Sequence, residues 1–210
     1  MVNKALVFFL LLGVSTGIAV LFWRQELRYV LPTPVPADYQ PVAVNQPVFL
    51  PATLSSLDQP VFLHFFNPDC PCSRFNLRQF NELVGQYGNR VHFVAVLPVN
   101  KGAELETAKQ EFGLAIPAIA DPDRKLAKAC GVYSTPQAVI VNQAGRLYYR
   151  GNYNQSRYCT RKNTAFARMA LDSILNRVPA PSFDWLATRA YGCGLPGSAV
   201  DIPLRYDFLR

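Results

Sequence analysis

The chain has 210 residues, 50% of them hydrophobic, and its 21 Lys plus Arg against 14 Asp plus Glu give a formal net charge of +7. The stretch between its end segments, about 120 residues, suffices for one core and excludes a multidomain protein. The positive balance does not indicate nucleic-acid binding, because no recognised binding motif accompanies it, and the cysteines show no zinc spacing.

Ala5 to Trp23 carries no charge and is long enough as a helix to cross the hydrocarbon core of a bilayer. Lys4 precedes it, Arg24 and Arg28 follow it, and Trp23 and Tyr29 suit the interface. A cleaved signal peptide would have a shorter apolar region ending in a small-x-small site, whereas this one runs into Leu21-Phe22-Trp23-Arg24. Residues 1–28 therefore read as an uncleaved, single-pass anchor in the inner (cytoplasmic) membrane. Charges flank both ends and do not choose an orientation. The cysteines at 70, 72, 130, 159 and 193 favour an oxidising, extracytoplasmic (periplasmic) side for the soluble part. Gly13 and Gly17 have the spacing of a helix-dimerisation face, which offers a dimer contact.

Residues 29–59 form a Pro-rich linker, with prolines at 32, 34, 36, 41, 47 and 51 and a further one at 60. Such a segment favours extended polyproline conformation and serves as a semi-rigid spacer. Within it, Val48–Leu54 is expected to lie on the domain as an edge strand.

Residues 60–178 alternate strand and helix. Strands are expected at 61–66, 91–99, 116–120, 138–142 and 147–153, the last two joined by the turn Asn142-Gln143-Ala144-Gly145. Helices are expected at 73–87, with Phe75, Phe80, Leu83 and Val84 on one face, and at 103–112, with Glu104, Glu106 and Glu111 outward. A short helix follows at 124–130. A closing helix at 164–176 sets Phe166, Met169, Ala170, Ile174 and Leu175 on its apolar side. The alternation predicts an α/β fold, a mixed sheet flanked by helices.

The segment Pro68-Asp69-Cys70-Pro71-Cys72-Ser73 follows the apolar strand Val61–Phe66 and opens a helix. Unpaired N–H groups and the positive dipole at a helix start stabilise thiolate over thiol, so Cys70 is the candidate nucleophile, provided incoming thiols can reach it.

Phe65-Phe66-Asn67-Pro68-Asp69-Cys70 resembles the strand-to-active-site segment of the thioredoxin-like superfamily, and Tyr133-Ser134-Thr135-Pro136-Gln137-Ala138-Val139-Ile140 resembles its second signature. Asn142-Gln143-Ala144-Gly145-Arg146 followed by Tyr149-Arg150-Gly151 is similar to the hairpin after it. The closer likeness is to the redoxin branch, with alkyl-hydroperoxide-reductase-like proteins and membrane-anchored cytochrome-maturation thioredoxins. The resemblance implies a thioredoxin-like fold, a cis proline at 136, and Thr135-Pro136 as the substrate-binding peptide facing Cys70. It implies a thiol–disulfide oxidoreductase acting on protein thiols and disulfides through Cys70, without cofactor or metal.

The usual CxxC pair is absent. Ser73 stands at the second cysteine position and Cys72 one place early, so a Cys70–Cys72 couple needs a non-helical turn, with Pro71 fixing its own φ. Such a short ring is strained and easily reduced. Cys193, in Tyr191-Gly192-Cys193-Gly194-Leu195-Pro196, and Cys159, in a second loop, are the other candidates. Either one resolves an intermediate on Cys70, or the two form a structural disulfide with each other, the preferred arrangement. Cys130 reads as a core thiol.

Three alternatives remain beside the oxidoreductase. A redoxin-type thiol peroxidase lacks its hydroxyl, since Asn67 occupies the position three before Cys70. Arg74 offers positive potential there, although a solvated helix-start residue is the plainer account. A Cu(I)-carrying assembly factor would use Cys70 and Cys72, but His64 and His92 lie in strands and suit hydrogen bonding better than ligation. A redox-silent scaffold is the third.

Between Arg124 and Leu171 the basic residues 124, 125, 128, 146, 150, 157, 161, 162 and 168 occur with no Asp or Glu. This face suits anionic lipid or an acidic protein, or else is simply solvated. The irregular tail, 179–210, keeps Phe183, Trp185, Leu186, Tyr191, Leu204, Tyr206 and Phe208, so it is expected to pack on the domain and to cover Cys70.

Overall fold

The structure, a computed structural model, describes residues 3–24, 31–55, 58–156 and 158–197. Arg28, Tyr29, Arg157, Leu204, Tyr206 and Phe208 lie outside the described residues. Helix α1 (Lys4–Phe22) starts at Asn3, whose Oδ1 accepts the backbone N–H of Ala5. Among the described residues it is the one helix long and apolar enough to cross a membrane, with mean hydropathy 2.5 and no buried residue.

The Pro-rich segment is less of a spacer than its composition suggests. Pro47 bridges Arg146, the N–H of Val48 donates to the Gly145 carbonyl at 2.8 Å, and Val48 and Leu54 are buried. The edge strand expected over Val48–Leu54 reduces to that bridge and the one-turn α2 (Ala52–Ser55), because Pro47 and Pro51 cannot donate to a ladder. Three of the nine residues of the basic run hold this strap. Lys128 pairs with Asp38 at 2.9 Å, holding that carboxyl below its ordinary pKa, Arg146 donates to the Asn45 carbonyl, and Arg150 donates to the Val42 carbonyl.

The domain is built from β1 (Val61–Phe65), α3 (Pro71–Tyr87), β2 (His92–Leu97), α4 (Ala103–Glu111), β3 (Ala118–Ala120), α5 (Lys125–Cys130), β4 (Ser134–Thr135), β5 (Gln137–Val141), β6 (Leu147–Gly151) and α6 (Phe166–Leu175). The main sheet runs β3-β2-β1-β5-β6; β1 is parallel to β2, β2 to β3, and β5 is antiparallel to both β1 and β6. Strand alternation sends Phe62 to one core with Phe80, Leu83 and Leu171, and Leu63 and Phe65 to another with Leu126, Val139 and Val141. Both faces are covered, which is why β1 is buried throughout.

Two helix faces differ from the sequence expectation. On α3 the buried stripe is Cys72, Ser73, Asn76, Gln79, Phe80, Leu83 and Tyr87, while Phe75 stays 47% exposed against the ring of Tyr158. On α6 it is Phe166, Ala167, Ala170 and Leu171, with Met169 facing out. On α6 the small Ala167 and Ala170 lie where the helix meets β5 and β6, and on α3 the polar Asn76 and Gln79 are buried, so hydrophobicity alone misplaced both stripes.

The tail returns to the domain through α7 (Trp185–Thr188) and ends its described part in β7 (Cys193–Gly194). Buried Asn152 anchors it: its side-chain amide donates to the carbonyls of Leu186 and Arg189, both at 2.8 Å, and its backbone N–H donates to Ala187 at 2.7 Å.

Candidate active site

Strand β1 delivers the chain into a tight turn before α3. The Asn67 side chain accepts the N–H of Asp69 at 3.0 Å, and its backbone carbonyl accepts the N–H of Cys70 at 3.0 Å. Cys70 is the N-cap of α3, extended at φ −92 and ψ 116, and Pro71 occupies the first turn, where its missing N–H costs nothing. Ser73, at the second position of a CxxC, is fully buried, and its hydroxyl accepts the Asn67 N–H at 3.3 Å. Arg74 donates to the Pro68 carbonyl at 2.9 Å and covers the Phe112 ring, so its role here is to brace the turn.

Across from Cys70 stands β4 with its cis peptide Thr135–Pro136. The Thr135 carbonyl oxygen lies 3.5 Å from Cys70 Sγ.

Cys70 is joined to Cys193, with 5.9 Å between Cα atoms and a sequence separation of 123. Strand β7 lies antiparallel on β4, pairing Thr135 with Cys193 and Ser134 with Gly194. The tail that brings Cys193 is seated by the Thr33 N–H on the Ala190 carbonyl at 2.9 Å, the Ser134 hydroxyl on the Tyr191 carbonyl at 3.2 Å, and the Tyr191 hydroxyl on the Asn154 carbonyl at 2.7 Å. The outcome is a cysteine sealed from solvent, 0% exposed, under its own disulfide partner. Ready access of Cys70 to incoming thiols, expected from its position, is therefore absent in this state.

The disulfide also corrects the expected pairings. Cys193 is committed to Cys70, so it does not join Cys159, and Cys70 does not join Cys72. Cys72 lies inside α3 two places after Cys70, turned into the buried stripe, where the geometry of a helix points it elsewhere. Cys159 rests against the same helix, its sulfur 3.3 Å from Asn76 Nδ2. Burial pushes its thiol up to about 11, against which the Asn76 amide works, while the neighbouring Cys72 adds to the rise. Cys130 is fully buried on α5, and burial with nearby Asp121 pushes it up to about 12, as suits a core thiol.

His64 points into the core, stacks on Phe80, and shares a 2.7 Å hydrogen bond between Nδ1 and the Tyr153 hydroxyl. Burial holds it down to about 3, hence neutral. Among the described residues no group of three His, Cys, Asp or Glu is placed to hold a metal ion.

Sequence reasoning noticed Cys70, Thr135, Pro136 and the glycine-flanked Cys193, and the structure brings all of them together. It missed Thr33, Ser134 and Asn152. Thr33 carried no signal, because it lies in the Pro-rich segment, whereas an asparagine just past a strand end could have been read as a polar anchor.

A mixed sheet of this order, with a cysteine capping the helix after β1 and a cis proline opposite it, defines a thioredoxin-like domain. More particularly, residues 40–194 match the family described as "Domain of unknown function (DUF6436)", and the chain belongs to that family. The match takes in both Cys70 and Cys193. No curated protein matches the chain. Among solved structures, a hypothetical protein from Sinorhizobium meliloti 1021 is similar with TM-score 0.62 and 18% identity, over 75% of this chain and 96% of its own. An uncharacterized conserved protein from Geobacillus kaustophilus gives 0.60 and 22%, over 79% and 97%.

Proposed function

We propose that this domain is a thiol–disulfide oxidoreductase whose working couple is Cys70 and Cys193. The observation that carries the proposal is the disulfide itself, formed at the N-cap of α3 and 3.5 Å from the Thr135 carbonyl rather than in the core. In the reduced protein the Cys70 thiolate, favoured by the helix start, attacks a sulfur of a substrate disulfide and forms a mixed disulfide while the other substrate sulfur leaves as a thiolate and takes a proton. The Cys193 thiolate then attacks Cys70 Sγ, the mixed disulfide breaks, and the substrate departs with both sulfurs reduced. Run backward, the same two exchanges oxidise a substrate dithiol. Thr135-Pro136 holds the substrate strand beside Cys70. Cys72 and Cys159 suit this chemistry less, because burial keeps Cys159 protonated and Cys72 sits within the buried stripe of α3. With α1 as a single membrane span, the domain works on the extracytoplasmic side, where disulfides persist.

Complete burial of Cys70 favours a second reading, in which the disulfide is a staple that pins the tail. Turnover of a protein disulfide separates the two. The oxidoreductase shows reductase activity that Cys70→Ser abolishes, and Cys193→Ser accumulates mixed disulfides with substrate. A staple shows no activity to lose, and its bridge yields to a thiol reductant only on unfolding.

A further inference from the structure

The geometry points to a sequence-selective peptide site at the β4 edge, one that takes an extended strand with glycine before the cysteine and an apolar residue two places after it. This inference rests on Cys70 being the exchanging sulfur, and the chain's own Gly192-Cys193-Gly194-Leu195 is its resident occupant.

Three contacts define the selectivity. Gly192 has φ +117, and a Cβ built there would lie 2.2 Å from the Thr135 carbonyl oxygen, 3.2 Å from its carbon and 3.5 Å from Pro136. The obstacle is backbone that itself lies beside Cys70, so it cannot swing aside as a side chain would. Any residue but glycine must lift the strand off the ledge, and with it the sulfur off Cys70. On the far side, the Leu195 N–H donates to the Tyr133 carbonyl at 3.1 Å, and the Leu195 side chain, 5% exposed, joins the core group of Val61, Val132 and Val139. The third contact comes from outside the domain proper. The hydroxyl of Thr33 donates to the Gly192 carbonyl at 3.3 Å and lies 2.9 Å from the Ser134 hydroxyl, so the strap clasps the residue before the cysteine. In each of these contacts the tail offers only backbone atoms or one apolar side chain, which another polypeptide of the same pattern supplies equally well.

The test uses the full chain with Cys193→Ser, which leaves Cys70 unbonded. Two peptides are prepared with their cysteine as a mixed disulfide to 5-thio-2-nitrobenzoate, Tyr-Gly-Cys-Gly-Leu and Tyr-Val-Cys-Gly-Leu. The Cys70 thiolate attacks the peptide sulfur, a protein–peptide disulfide forms, and the coloured thiolate leaves. The glycine peptide should react at least about tenfold faster, the equivalent of about 1.4 kcal/mol. Equal rates for the two peptides, with Cys70 still reacting with the symmetrical aromatic disulfide of the same reagent, overturn the selectivity alone. A Cys70 that reacts with neither the peptides nor that small disulfide overturns the oxidoreductase reading and the selectivity together. Thr33→Val supplies an independent check: it removes the hydroxyl that clasps the residue before the cysteine, and the rate ratio of the glycine peptide to the valine peptide should fall, an unchanged ratio overturning the role of the clasp.

Discussion

Thr135 faces Cys193 as its antiparallel strand partner, while the carbonyl of the same threonine lies 3.5 Å from Cys70 Sγ. One short strand thus registers both sulfurs of the disulfide, one through strand pairing and the other through its carbonyl. Positioning of this kind asks little of the sequence beyond a glycine that lets the backbones approach.

Reduction should loosen the protein measurably. A bridge across a sequence separation of 123 restricts the unfolded chain by about 5 kcal/mol in the chain-entropy picture. Urea unfolding of Cys193→Ser against the oxidised wild type should show a lower midpoint. An unchanged midpoint would mean the bridge contributes nothing to the fold.

Anchoring of the tail through Asn152 should control access to Cys70. Asn152→Ala removes two side-chain hydrogen bonds to the Leu186 and Arg189 carbonyls, costing on the order of 1–3 kcal/mol. The variant's Cys70–Cys193 bridge should be reduced by dithiothreitol several-fold faster at native pH. Equal reduction rates would show that the tail opens by another route.

His64 should give the fold an acid weakness. Its folded-state value of about 3 lies below the ordinary 6.5, so between those limits the unfolded chain binds the extra proton. Stability from this residue is complete above pH 6.5 and falls as the pH drops, by about 2 kcal/mol between pH 7 and pH 5. Paired unfolding measurements at these two pH values should find that loss in the wild type and its absence in His64→Phe, whatever the baseline cost of leaving the Tyr153 hydroxyl without its partner.

The element order was legible because the apolar runs at 61–66 and 91–99 are too short and too β-branched or aromatic for anything but buried strands, and the intervening stretches keep helical period. The ledge was legible through Thr135-Pro136. The partner of Cys70 was not, since Cys193, Cys159 and Cys72 are alike in composition and only the returning tail decides among them. Likewise the faces of α3 and α6 were misjudged at Phe75 and Met169: Phe75 packs on Tyr158 outside the core, and where α6 meets β5 and β6 the small Ala167 and Ala170 are favoured over bulk. Prolines 32 to 51 suggested a stiff spacer, and nothing local announced that Lys128, Arg146 and Arg150 would hold that segment down.

Thr33 lies only nine residues beyond Arg24, which is two places past the end of α1. Fully stretched, that much chain reaches at most about 32 Å. Were α1 to span a bilayer, the clasp on the cysteine strand could travel no farther than this from the point where the polypeptide emerges, and both sulfurs would stay in a thin layer at the lipid surface.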